Sequence, residues 1–145
     1  EAIFEGEVEV EEGTDIVITN AIYPAESAAA TYAIPSVPAN QVIPAGASCD
    51  PKAVIMDGTI SEGNIAFSNA AGAIQIVAPE GATAVRVVSA AGTITAAVEG
   101  AGTYNLMVPA ASFEGFTASV CTPELIYIKS TDKTLTVAAS KIYFN

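Results

Sequence analysis

Sixteen carboxylates, two thiols and five phenols are the groups of this 145-residue chain best suited to move protons, hold ions or attack a bond. Histidine is absent. Without an imidazole there is no Ser-His-Asp or Cys-His arrangement and no His-ligated metal site. Glycoside hydrolysis needs only two carboxyl groups facing one another. Beyond an N-terminal cluster, however, Asp50, Asp57, Glu62, Glu80, Glu99, Glu114, Glu124 and Asp132 stand beside Gly, Pro or Lys in predicted turns. There an acid serves turn geometry and solubility. Cys121 as a nucleophile without a base is weaker still. The pattern assigns no catalytic residue, no metal ligand and no cofactor, and the chain reads as a non-enzyme.

The acidic cluster has its own logic. Seven of the sixteen acids fall within the first fifteen residues, whereas the other 130 residues carry nine acids and five bases, a net of -4. Glu5, Glu7 and Glu9 alternate with Gly6, Val8 and Val10, and Phe4 shares the apolar face. Period-two alternation predicts a strand with one face buried. Calcium favours such oxygen ligands, but carboxylates on alternate strand positions point outward in a line and do not converge. A solvated face that keeps a strand edge from sticking to its neighbours is the expected role. With a net charge of -11 the chain repels a phosphate backbone, so no nucleic-acid partner is expected.

Cys49 and Cys121 lie 72 positions apart with no C-x-x-C spacing, which excludes zinc-finger and thioredoxin readings. A Cys49–Cys121 disulfide would stabilise an exported protein by about 4 kcal/mol. Two free thiols acting as small buried hydrophobes are the other reading, and nothing in the pattern sets the sulfurs side by side. The tyrosines Tyr23, Tyr32, Tyr104, Tyr127 and Tyr143 offer the aromatic surface that a glycan would need in a chain without Trp.

The elements that position these groups are strands. Val and Ile number 29 and Thr 13, against three Leu. β-Branched side chains suit a pleated, half-buried surface. Ala is abundant, at 28 residues, but its runs are cut by Gly or Pro before a helical stripe develops. The uncharged run Ser27–Cys49 is long enough to cross a membrane, yet it contains Pro35, Pro38, Pro44, Asn40 and Gln41. That density of breakers and amides argues against a transmembrane segment.

Along the chain, residues 1–12 read as an acidic strand and Asp15–Thr19 as a second one. Residues 23–51 form a Pro/Ala-rich extended segment. Ala53–Met56 reads as a strand that turns at Asp57-Gly58. Strands then follow at 64–67, 73–78, 84–89, 93–98, 104–108, 116–120, 125–129, 134–138 and 141–144, with turns at 69–72, 79–81, 91–92, 100–102 and 131–133. This spacing is that of a sandwich or barrel. We expect residues 1–145 to form a single all-β sandwich with essentially no helix, either a mature product or a domain cut from a longer exported protein.

The order Tyr23-Pro24-Ala25, Ile34-Pro35-Ser36 with Asn40-Gln41, Met56-Asp57-Gly58 and Ile65-Ala66-Phe67-Ser68-Asn69 resembles the fimbrillin-like family of Bacteroidales surface proteins. The likeness continues through Gly72–Val77, Ala84–Gly92, Gly102-Thr103-Tyr104, Val108-Pro109 and Phe113-Glu114-Gly115-Phe116-Thr117. It implies a transthyretin-like Greek-key sandwich, exported to the cell surface or outer membrane as a pilus subunit, a tip or anchor component, or an adhesin. Its partners would be subunits of a surface assembly or a host or bacterial receptor. Members assemble by strand donation, a form of β-augmentation. Terminal strands are the candidates for donation: Phe4, Val8 and Val10 at one end, Ile142 and Phe144 at the other. A carbohydrate-binding module and a phage or surface-layer coat protein share the architecture and stand as alternatives.

Overall fold

The computed structural model describes residues 9, 11–13, 15–24 and 34–144. It is all-β; the described residues form three sheets and one 3₁₀ turn, at Pro51–Ala53. The first sheet is antiparallel and orders β1 (Asn20–Tyr23), β3 (Met56–Ser61) and β4 (Asn64–Asn69) as β1-β3-β4. The second contains β2 (Asn40–Val42), β6 (Ala84–Ser89), β7 (Gly92–Ala97), β9 (Ser112–Cys121) and β10 (Ile126–Thr136), in the order β10-β9-β6-β7-β2. The third contains β5 (Ala71–Ala78), β8 (Gly102–Pro109) and β11 (Ile142–Phe144), ordered β11-β5-β8. Two pairs are parallel, β2 with β7 and β11 with β5.

The five-stranded sheet faces the third sheet across the main core, as a β-sandwich. Val85 and Val87 of β6, Ala96 of β7, and Ala118 and Val120 of β9 meet Ile74, Ile76 and Ala78 of β5 and Tyr104, Leu106 and Val108 of β8. These residues sit at every second position, which places their side chains on one face of each strand. A smaller cluster covers part of the other face of β5 and β8, where Ala71, Ala73 and Met107 pack with Ala53 and, more loosely, Val37, Cys49 and Val54.

The strands expected at 84–89, 93–98 and 104–108 form at 84–89, 92–97 and 102–109, but several local readings change. Asp15–Thr19 is not a ladder strand; pairing starts at Asn20, and Thr19 contributes only a carbonyl to Ile60 N–H. Residues 51–53 form the 3₁₀ turn, N-capped by Asp50, so β3 begins only at Met56. Asp57-Gly58 lies inside β3 rather than in a turn. A Cβ on Gly58 would come within 2.8 Å of the Phe67 ring and 2.9 Å of Ile65, so the glycine is there for close approach. The turn is at Glu62-Gly63, both at positive φ, as two-residue hairpins between right-twisted strands prefer.

Residues 69–72 are not a turn either. β4 continues into β5 with only Ala70 between them, and the chain exchanges β3 for β8 as its partner. The expected hairpin tip at Thr131-Asp132-Lys133 is a bulge in one long strand, where the register against β9 shifts between Thr131 and Thr134. Gly115, opposite, takes φ +69. Continuous pairing with β9 absorbs the turn-forming residues without reversing the chain.

Gly72 is where the C-terminal part of the chain crosses β5. A methyl group there would strike Val137 Cγ1 and lie 2.6 Å from the Ala138 carbonyl oxygen. Gly72→Ala should therefore cost about 1–3 kcal/mol, read as a lower urea midpoint. Gly58→Ala should cost less, because Ile65 and Phe67 are each 37% exposed and can swing aside.

Candidate functional site

The two sides of the sandwich end differently. On one side, β8 is the border of its sheet, with no strand beyond it among the described residues. Gln41 takes that place. It sits in β2, across the core, and is 2% exposed. Its Nε2 donates to the carbonyls of Met107 (2.8 Å) and Pro38 (3.1 Å), and its Oε1 accepts from Met107 N–H (3.2 Å). One side-chain amide thus supplies both bonds that a neighbouring strand would make at that residue. Asn105 N–H is satisfied by the Ser48 carbonyl at 2.6 Å. Asp50 holds the intervening loop, accepting from Val42 N–H at 2.8 Å and Lys52 N–H at 2.9 Å.

On the other side, β11 lies along β5 only at Ala73–Gln75. Further along, at Ile76–Ala78, β5 is paired with β8 alone among the described residues. Across the gap run β9 and β10. The result is a groove of about 230 Å³ lined by Ile76 and Val77 of β5, Ala118–Val120 of β9 and Tyr127–Lys129 of β10. Val77 is 73% exposed and Tyr127 50%. The lining is apolar except for Ser119 and Lys129, and one edge offers main-chain groups. Such a groove takes an extended strand with alternate apolar side chains.

Of the candidate assembly residues, Phe4, Val8 and Val10 lie outside the described residues. Ile142 and Phe144 belong to β11, paired within the chain. Cys49 and Cys121 are free thiols. Cys49 packs with the cluster on the outer face of β5 and β8, whereas Cys121 ends β9 and shares a row with Ala84 and Ile126 on the outer face of the five-stranded sheet. Two stacked sheets separate them, beyond the reach of a disulfide.

The tyrosines do not converge on one platform. Tyr104 is buried and directs its hydroxyl at the Glu99 and Gly100 carbonyls. Tyr143 accepts from Ala138 N–H. Tyr23 and Tyr127 stand exposed on different sheets, and Tyr32 lies outside the described residues. A roomier cavity of about 640 Å³ is lined by Pro35, Pro38, Val42, Pro44 and Lys52, with Asp50 already engaged by two backbone amides. Among the described residues no three His, Cys, Asp or Glu side chains lie close enough to hold a metal ion. None of their helices is long and apolar enough to cross a membrane. Comparisons with family models, with curated proteins and with solved structures return no match.

Gln41 was invisible to sequence reasoning, which placed it in an extended segment without a task. The available signal was the adjacent amides Asn40 and Gln41 within an uncharged, proline-rich run, and amides alone do not reveal their partners. Gln41→Ala leaves the Met107 N–H and C=O unpaired, at about 1–3 kcal/mol for each buried group without a substitute partner. Gln41→Glu should also destabilise, because a carboxylate cannot donate to the Met107 carbonyl. Guanidinium midpoints lowered in both variants would verify the edge-closing role; an unchanged Gln41→Glu would refute it.

Proposed function

We propose that this chain is a non-enzymatic structural or adhesion module of a bacterial surface, fimbrillin-like in kind, that assembles by strand donation into the groove beside Ile76–Ala78. The observation that carries this reading is the contrast between the two sides of the sandwich. One border is closed by Gln41 and the loop held by Asp50, while on the other Ile76–Ala78 of β5 have, among the described residues, no strand beside them opposite β8, above apolar residues of β9 and β10. An incoming strand there extends the line of β11, satisfies β5 main-chain groups and covers the exposed side of the core.

The N-terminal sequence suits the donor role. Its alternation would turn Phe4, Val8 and Val10 toward the groove and Glu5, Glu7 and Glu9 toward solvent. The resemblance noted above adds a Greek-key topology of transthyretin type, export, and a place in a pilus or on the outer membrane. A glycan-binding role draws less support, because Tyr104 and Tyr143 have their hydroxyls engaged within the fold.

The test is assembly beyond a dimer, followed by analytical ultracentrifugation and electron microscopy of the whole chain. Deleting Ala2–Val10, or making Val77→Arg on the exposed groove wall, should abolish concentration-dependent polymers while leaving the circular dichroism spectrum unchanged. Polymers that survive both changes would refute strand donation at this groove. A strictly monomeric chain that still binds cell surfaces would retain the adhesin reading and remove the pilin one.

A further inference from the structure

A second edge of the sandwich is open in a different way. Among the described residues, β10 borders the five-stranded sheet and pairs only with β9. Its hydrogen-bonding phase follows from the turn that starts it. Thr122 N–H donates to the Leu125 carbonyl at 2.9 Å, while Leu125 N–H turns to Thr122 Oγ1 at 3.0 Å, which sets residues 122 and 125 in the phase of a hydrogen-bonded pair. Antiparallel ladders alternate hydrogen-bonded and non-hydrogen-bonded pairs. Tyr127 and Lys129 therefore direct their main-chain groups at β9, and Ile126, Ile128 and Ser130 direct theirs away from it. Among the described residues no main-chain group outside β10 meets them.

Proteins usually guard such an edge with charge, a bulge or a short strand. Here the guards stand beyond Ser130: the register shift between Thr131 and Thr134, together with Asp132 and Lys133. The stretch Ile126–Ser130 carries one charge, Lys129, and exposes Ile126 at 58% and Ile128 at 65%. On the outer face, the rows behind it contain Cys121, Ser119 and Thr117 of β9, then Ala84, Arg86 and Val88 of β6. No carboxylate lies among them, although the chain has sixteen acids. Within these rows two copies of a strongly acidic chain approach without facing carboxylates, and acids come near each other only at the ends of the stretch, at Glu124 and Asp132.

We infer that this edge pairs with the same edge of a second copy, antiparallel, about a two-fold axis through Ile128. A two-fold axis normal to a continuous sheet must pass through a residue paired with itself, since paired side chains share a face. Centring on Ile128 matches Ile126 with Ser130 and Tyr127 with Lys129 of the partner. All three outward-facing residues are engaged, in about six main-chain hydrogen bonds. Centring on Lys129 sets two like charges directly opposite. Centring on Tyr127 carries the ladder into the Thr122–Leu125 turn and leaves Ser130 without a strand partner. A five-residue edge buries less than the roughly 1,200–2,000 Å² of a stable complex, so the dimer is weak and concentration-dependent. Salt strengthens it by screening the repulsion between two chains of net charge -11.

This dimer does not rest on strand donation, and different variants separate the two. In a Cys49→Ser, Cys121→Ser background, Tyr127→Cys and Lys129→Cys chains should each resist oxidative cross-linking alone and cross-link when mixed. Ile128→Lys, at an exposed position, should reduce the sedimenting dimer at least tenfold with an unchanged dichroism spectrum. Val77→Arg should leave the dimer intact. A chain monomeric at millimolar concentration in high salt would overturn the inference. So would a dimer that survives Ile128→Lys, efficient cross-linking of either cysteine variant alone, or loss of the dimer on deletion of Ala2–Val10, which would assign the edge to the acidic segment.

Discussion

Two facing sheets of unequal width set the terms for this molecule. Five strands lie on one side of the core and three on the other, and the third of these, β11, matches only three residues of β5. Apolar side chains on the inner face of the wider sheet need a cover, and hydrogen-bonding groups along each border need partners. Where the narrow sheet ends at β8, a side chain reaches across from the wider sheet and does the work of a strand. Where it ends at β11, nothing equivalent is described, and Tyr127 and Val77 stay half or more in solvent.

The small residues make sense within that geometry. β4 and β5 are one run of chain that serves two sheets, and its second half must admit the returning C-terminal segment at close range. Gly72 permits that crossing, with Ser140 N–H donating to the Ala71 carbonyl and Ala73 N–H to the Lys141 carbonyl on either side. The alanines at 71 and 73 have a related role, since they sit under Ala53 and Met107 in the smaller cluster, where larger side chains would hold the 3₁₀ turn away from the sheet. A composition so rich in Ala and β-branched residues, and so poor in Leu, reflects thin layers in close contact.

How far this was legible in the sequence depended on the range of the deciding interaction. Alternation within 84–89, 92–97 and 102–109 is local, and it located β6, β7 and β8 to within a residue or two. Asp57-Gly58 and Thr131-Asp132-Lys133 carried turn residues but lie inside strands, because long-range pairing with β1 and β4, or with β9, outweighs a local turn preference. Glycine is ambiguous in the same way. At Gly63 it supplies positive φ, at Gly58 and Gly72 it supplies room, and only the three-dimensional neighbours distinguish the two. The groove depends on contacts between residues 76–77, 118–120 and 127–129, and no short stretch of sequence contains that information.

The borders of the two facing sheets are also treated unequally. Gln41, Ser48 and Asp50 close the β8 side with bonds to specific backbone groups, and Asp132, Lys133 and the bulge guard the far end of β10. Among the described residues, Ile76–Ala78 pair with β8 alone and Ile126–Ser130 carry a single charge, Lys129. Protection and exposure therefore alternate along the rim on a scale of a few residues, with the unprotected stretches close together around β10 and β5. Among the described residues, β10 and the far end of β5 lie across the two facing sheets from the border that Gln41, Ser48 and Asp50 close, so the bonds that seal one rim leave the main-chain groups of the other without equivalent partners.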